Sequence, residues 1–177
     1  MKNIYARMVT TLALFCLATV IAAPTARAEE APGAHKKKEP DREKLKVGDM
    51  APSFALKTLN PELCGGTNMS SKTFFGSTAT KNIGAMIVSF ASANCKPCKK
   101  ELPELHKLYL RLKPRGLEVL VVAMDKEEKD IAFMTQMAQD NKFTFPVLTD
   151  RFTILARRYH ADELPYVVLV DGAGTIR

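Results

Sequence analysis

The sequence predicts an α/β domain in which a central sheet, mainly parallel or mixed, carries helices on both faces. Three observations point there. Apolar runs of strand length recur at residues 85–90, 117–124 and 166–170. Between them lie stretches with apolar residues at helical spacing: Leu102, Leu105, Leu108, Tyr109 and Leu112, then Ile131, Met134 and Met137. Finally, the run at 117–124 is nearly all apolar rather than alternating, as a strand covered on both faces requires. Strands that alternate with helices build a layered α/β domain.

The elements follow in order. Residues 55–59 read as a strand. Residues 61–81 are rich in Gly, Ser, Thr and Asn and read as loop, with one turn near 71–75. The strand at 85–90 feeds the helix that carries Leu102 to Leu112, which Pro114 and Gly116 end. Residues 145–148 form a short extended piece. Asp150 is suited to cap a helix in which Phe152, Leu155, Ala156 and Tyr159 share a face. The strand at 166–170 ends at the turn Asp171-Gly172-Ala173-Gly174. The Met and Leu stripes are core in this reading, and no cofactor is expected.

The chain has 177 residues, enough for one domain plus a targeting segment. Residues 1–28 read as a signal peptide. Lys2 and Arg7 form a basic start, residues 8–23 are apolar apart from Thr10, Thr11 and Thr19, and Ala26-Arg27-Ala28 offers a small-x-small cleavage site. The apolar stretch is short for a membrane span of roughly 20 residues, so an uncleaved inner-membrane anchor is the alternative. Phe15 before Cys16 is too bulky for a lipoprotein site. Residues 29–46 are polar, charged and Pro-containing, and read as a flexible linker. The folded domain is expected at 47–177, and the location periplasmic or otherwise extracytoplasmic.

The net charge of +7 does not mark a nucleic-acid binder. Three cations, Lys2, Arg7 and Arg27, stand in the signal segment, leaving 23 cations against 19 acids. The visible basic cluster, Lys36-Lys37-Lys38, is followed at once by Glu39, Asp41 and Glu43, as in a solvated linker. Cleavage of the signal would leave three cysteines, Cys64, Cys95 and Cys98. An odd number is not a fully paired scaffold, so at least one thiol serves another purpose or none.

Cys95-Lys96-Pro97-Cys98 lies between a buried strand and an amphipathic helix. The strand delivers Cys95 to the helix N-terminus, where unpaired N–H groups and the positive end of the dipole favour a thiolate. A thiolate is the nucleophile of disulfide exchange. Cys98, inside the first turn, is suited to resolve a mixed disulfide. Pro97 has no N–H to leave unpaired at the helix start. Half of a structural zinc site is the other reading of such a pair. Zinc takes four ligands in those sites, and no second C-x-x-C is present, while Cys64, His106 and His160 are scattered. No metal is expected.

The segment from Phe90 through Cys95 and Cys98 to Glu101-Leu102-Pro103 resembles the active-site region of the thioredoxin superfamily. It is most similar to the extracytoplasmic TlpA- and ResA-like branch, with a pattern near F-W-A-S-W-C-x-P-C-x-x-E-x-P. Val47-Gly48-Asp49-Met50-Ala51-Pro52-Ser53-Phe54 resembles that branch's entry strand. Gly116-Leu117-Glu118-Val119, Phe145-Pro146-Val147-Leu148 and Leu164-Pro165 match later motifs in order. The resemblance spans 47–177 and implies a thioredoxin-like fold. It also implies that Pro165 is cis and faces Cys95, and that the Leu164 backbone pairs with an extended substrate peptide.

Departures from the pattern carry expectations too. Ala91 and Asn94 stand where the pattern has tryptophans, so the surface offers fewer apolar contacts. Ser89 stands where cytoplasmic thioredoxins carry a buried acid. Glu163 replaces a common Gly and is either a solvated charge or a proton acceptor. Glu101 matches the family's Glu, near the helix N-terminus. Lys96, Lys99 and Lys100 either favour the Cys95 thiolate or simply solubilise the helix. The family fold closes with an antiparallel strand and a C-terminal helix. Here Thr175-Ile176-Arg177 stand where that strand begins, so the closing strand and helix are expected to be missing. Cys64 has no family counterpart and reads as a spectator thiol.

The expected activity is thiol–disulfide exchange on protein substrates, in the reducing direction, with cytochrome c maturation as one setting. The expected partners are protein disulfides and a membrane or periplasmic thiol electron donor, with the protein a monomer. Two alternatives stand beside this. A peroxiredoxin-like peroxidase fits Ala51-Pro52-Ser53-Phe54 but fails at Val88, where that family's nucleophile motif has Pro. A copper- or peptide-binding module would use the same fold without turnover.

Overall fold

The computed structural model describes residues 44–177. The expected signal segment and all but the last three residues of the expected linker lie outside the described residues. In chain order the elements are β1 (Ala55–Thr58), α1 (Pro61–Cys64), β2 (Asn68–Ser70), β3 (Ala85–Ala91), α2 (Lys96–Leu112), β4 (Leu117–Ala123), α3 (Glu128–Asp140), β5 (Val147–Thr149), α4 (Ile154–Tyr159) and β6 (Tyr166–Asp171).

The six strands form one sheet in the order β2-β1-β5-β4-β3-β6. β3, β4 and β5 run parallel, whereas β6 joins β3, β1 joins β5 and β2 joins β1 antiparallel. The sheet is therefore mixed, with its parallel part confined to the centre. That part is where helices supply the long crossovers that parallel pairing needs.

Strand periodicity sorts the core into two faces. Met86, Val88 and Phe90 of β3, with Leu120 and Val122 of β4, pack with Leu155, Ala156 and Tyr159 of α4. Ala91 of β3 and Val119, Val121 and Ala123 of β4 pack with Leu102, Leu105 and Tyr109 of α2 and Met134 and Ala138 of α3. Both faces of the central strands are thus covered, as their unbroken apolar character predicts.

Three local expectations need correction. The stretch 61–81 is not simply loop. It holds α1, which ends on Gly65 at φ 84°, and then β2, whereas the turn expected near 71–75 is present as a 3₁₀ turn at Ser71–Thr73. β2 is three residues long and owes its existence to a distant partner, with Ala55 opposite Ser70, so periodicity could not mark it. The first strand stops at Thr58 instead of Leu59. Phe152 does not share the face of α4. Asp150 accepts hydrogen bonds from the N–H groups of Ile154 (2.9 Å) and Ala156 (2.8 Å), which starts the helix after Thr153 and leaves Phe152 outside it and exposed.

Asn60 staples β1 to the β5 strip. Its Nδ2 donates to the carbonyls of Phe143 (2.8 Å) and Phe145 (2.9 Å), and its Oδ1 accepts from the Val147 N–H (2.9 Å). Asn60 is fully buried, so those three bonds satisfy a group that would otherwise be costly to bury. Gly116, after α2, has φ 86°, and a Cβ there would lie 3.0 Å from the Gly84 nitrogen. A left-handed residue against a neighbouring backbone leaves room only for glycine.

Candidate active site

β3 lies between β4 and β6 in the sheet and stops at Ala91. Ser92 and Asn94 then make a turn in which the Cys95 N–H donates to the Ser92 carbonyl (3.1 Å). Cys95 is the N-cap of α2, in extended backbone conformation, and its Sγ accepts from the Cys98 N–H at 3.2 Å. The two sulfurs are joined in a disulfide. Cys95 is partly exposed, whereas Cys98 is fully buried within the α2-side core. An attacking partner therefore meets Cys95 first.

The other expected residues fall around this pair to different degrees. Lys96 and Pro97 are exposed in the first turn of α2, and Glu101 is partly buried one turn further on. Lys99 does not turn to the sulfurs; its Nζ lies 4.9 Å from the centre of the Phe133 ring on α3. Lys100 is exposed. The Leu164–Pro165 peptide bond is cis. Tyr166 pairs with Phe90 across β6 and β3, so Pro165 stands level with Ala91, at the end of β3 that leads to Cys95. Leu164 packs against the same cluster as Cys95 and Cys98. Glu163 is exposed and has no bonded partner among the described residues.

Ser89 lies in the middle of β3, fully buried, with its hydroxyl unpartnered among the described residues. Cys64 is a free, partly buried thiol at the end of α1. Burial pushes that thiol upward from its ordinary value, against smaller lowering effects from the Gly66 and Cys64 backbone, and the thiol donates to the Gly66 carbonyl. Such a thiol is less nucleophilic than one at a helix start.

Sequence reasoning missed Asp125. It follows β4 by two residues and is buried, with both carboxylate oxygens accepting from the Ala93 N–H (3.0 and 3.2 Å). Burial is the main cause that pushes this carboxyl up, opposed by the Ala93 hydrogen bond and helped by the Asp130 charge. Asp130 in turn accepts from Asn94 Nδ2 at 3.4 Å. An acid at the end of a buried parallel strand was the available signal, because that end of the sheet is where α/β folds place ligands.

A cleft of about 720 Å³ opens elsewhere, lined among others by Phe54, Leu56, Ile154, Leu155 and Arg158. It includes neither cysteine of the pair, nor Leu164 or Pro165. The disulfide thus lies apart from that cleft, with Cys95 partly exposed.

A mixed sheet that carries a C-x-x-C disulfide at the start of its longest helix defines a thioredoxin-fold thiol–disulfide oxidoreductase, and enzymes of this kind act on protein substrates. The AhpC/TSA family model matches residues 47–177, and the chain belongs to that family. Its curated relatives include a thiol-disulfide oxidoreductase ResA of Bacillus cereus. That protein is 30% identical over 136 residues, covering 77% of this chain and 70% of the relative. ResA of Bacillus thuringiensis subsp. konkukian is 31% identical over 134 residues, covering 76% and 69%. Among solved structures, the thioredoxin domain of a Bacteroides vulgatus thiol-disulfide oxidoreductase superposes with a TM-score of 0.60. It has 24% identity and covers 75% of this chain and 86% of that one. A secreted Mycobacterium tuberculosis disulfide oxidoreductase homologous to E. coli DsbE gives a TM-score of 0.55 at 18% identity, with 70% and 80% covered.

Proposed function

We propose that this protein reduces disulfides of protein substrates outside the cytoplasm, with Cys95 as the nucleophile and Cys98 as the resolving cysteine. The supporting observation is the asymmetry of the pair. Cys95 is accessible at the N-terminus of α2 and Cys98 is sealed beneath it, within bonding distance. In the reduced protein the Cys95 thiolate attacks one sulfur of a substrate disulfide. A mixed disulfide forms and one substrate thiolate leaves with the electron pair of the broken bond. Cys98, deprotonated, then attacks the Cys95 sulfur and releases the second substrate thiol. The Cys95–Cys98 disulfide is left behind, and two electrons have passed to the substrate. A donor dithiol in the membrane or periplasm reverses these steps on the enzyme.

Leu164 and Pro165 bind the substrate backbone in this reading, beside the end of β3. Lys96, Pro97, Glu101 and Glu163 support the site. The extracytoplasmic setting draws on the signal-like residues 1–28 and on the secreted M. tuberculosis relative in fold. Among the described residues no helix is long and apolar enough to cross a membrane. The reducing direction, and the haem-binding C-x-x-C-H of an apocytochrome as one substrate, rest on likeness to the TlpA- and ResA-like branch.

Insulin reduction tests the core of the proposal. Cys95→Ser is expected to abolish turnover, and Cys98→Ser to trap mixed disulfides on Cys95. A Cys95→Ser protein as active as wild type would refute the assignment. The reduction potential of the pair tests the direction, since a reductase requires a strongly reducing couple.

A further inference from the structure

The turn that presents Cys95 is held from outside its own strand. β3 pairs with β4 as far as Ala91 opposite Ala123, and the Met124 N–H donates to the Ala91 carbonyl (3.0 Å). Beyond that point the ladder ends. The Ala93 N–H points into the protein with no strand to receive it, and Ala93 is buried. A buried N–H without an acceptor is rare and costly. Asp125 supplies the acceptor, with both oxygens on that one N–H. Asn94, the next residue, reaches Asp130 near the start of α3. The four-residue turn that ends on the nucleophile is therefore gripped by Asp125 in the segment after β4 and by Asp130 in the first turn of α3.

Asp125 is an expensive way to satisfy one N–H. An amide or hydroxyl oxygen would accept the same hydrogen bond without placing a charge in a buried site. What a carboxylate adds, in its ionised form, is a negative charge. Two residues of chain span at most about 7 Å, so that charge lies roughly 10 Å or less from the Cys95 backbone. Of the lysines nearby, Lys99 keeps its charge over the Phe133 ring, and Lys96, Lys100 and Lys126 are exposed, where solvent and salt screen them. Asp130, the other charged group whose field reaches Asp125, has the same sign.

We propose that Asp125 is a positioning residue for thiol–disulfide exchange, one that clamps the 92–95 turn and, through its charge, restrains ionisation of Cys95 in the reduced protein. This rests on the reading of Cys95 as the nucleophile. The start of α2 favours the Cys95 thiolate and Asp125 opposes it. A less stabilised thiolate means a less stabilised reduced form, so the pair holds its electrons less firmly and is a stronger reductant.

The test compares Asp125→Asn, Asp125→Ala and a distant charge control, Glu104→Gln, an exposed acid paired with Lys107. Two readouts are taken on each protein: the thiolate titration of Cys95 by its ultraviolet absorbance, and the equilibrium with a dithiothreitol buffer. Asp125→Asn keeps an oxygen for the Ala93 N–H and removes the charge. It is expected to lower the Cys95 titration midpoint and to shift the equilibrium toward the reduced protein by about threefold to tenfold, the size of a charge near 10 Å in a partly screened site. Glu104→Gln is expected to change neither. Asp125→Ala is expected to shift the titration in the same sense and also to slow insulin reduction, because the turn loses its acceptor. If Asp125→Asn stays within twofold of wild type in both readouts, or matches Glu104→Gln, the proposal is overturned. Should Asp125→Ala fail to fold, the Asn variant alone decides. If Cys95→Ser still reduces insulin, the nucleophile assignment fails instead, and the thiolate titration still reports whether Asp125 acts on Cys95.

Discussion

β4, Leu117–Ala123, and β6, Tyr166–Asp171, are both strands of nearly continuous apolar sequence, yet the fold treats them differently. Every residue of β4 is buried, Glu118 included. β6 buries Val168 and Val170 on the α4 side of the sheet and leaves Val167 and Leu169 48% and 44% exposed on the other. The cause is position. β4 has a strand on each side and helices on both faces. β6 pairs with β3 along one edge; along the other, among the described residues, it meets the chain just beyond its own end, through the Val170–Ile176 bridge, the Arg177 N–H to the Leu169 carbonyl and the Asp171 N–H to the Thr175 carbonyl. An apolar run therefore announces a strand, but not whether that strand is central.

The largest test of this contrast pairs two leucines. Leu120→Ala in β4 is expected to cost about 2–5 kcal/mol, as buried Leu-to-Ala changes do. Leu169→Ala in β6 is expected to cost about 1 kcal/mol or less, since half of that side chain already meets water. Urea unfolding of both variants decides it, and equal losses would break the contrast.

A smaller effect concerns the side of β4 that α2 covers. His106 lies edge-on to Phe143 and Phe145, and its Nε2 accepts from the Thr144 N–H at 3.2 Å. Burial lowers its pKa from the ordinary 6.5. The unfolded chain thus binds this proton more readily than the folded one. Stability is held above the unfolded value near 6.5 and declines as the pH falls through it toward the lowered folded value. Between about pH 7 and pH 5, near that unfolded value, His106→Gln is expected to flatten the fall in the urea midpoint. An unchanged slope would show that His106 is as solvated in the fold as out of it.

The smallest effect lies on the exposed face of β6. Val167→Lys is expected to move stability by about 0.5 kcal/mol or less and to reduce self-association, because a lysine on an edge strand discourages strand-to-strand pairing. Light scattering during heating checks the second part. A large loss of stability would mean that Val167 is packed rather than exposed.

The pieces of the site were unevenly legible. Cys95 and Cys98 stood out because both sit within four residues of one another, between a strand pattern and a helix pattern. The cis bond at Pro165 was expected only through resemblance. Asp125 was not read at all, since its partner, Ala93, lies 32 residues earlier and is an alanine contributing only its backbone. Asn60 was missed for the same reason: its three bonds reach residues 143–147. In each case the side chain is chosen by a backbone group far away in sequence, and no local pattern records that group.

By itself the sequence determined the order of strands and helices apart from α1 and β2, the two-sided burial of β4, and the cysteine pair at a helix start. All of these depend on neighbours a few residues apart, through strand and helix periodicity or capping. Only the tertiary structure decided that β1, β2 and β6 pair antiparallel, that one face of β6 meets solvent, and that Asp125 holds the turn before Cys95. Those outcomes depend on which distant segments meet, and they arise when unpaired backbone groups and apolar faces find partners across the whole sheet.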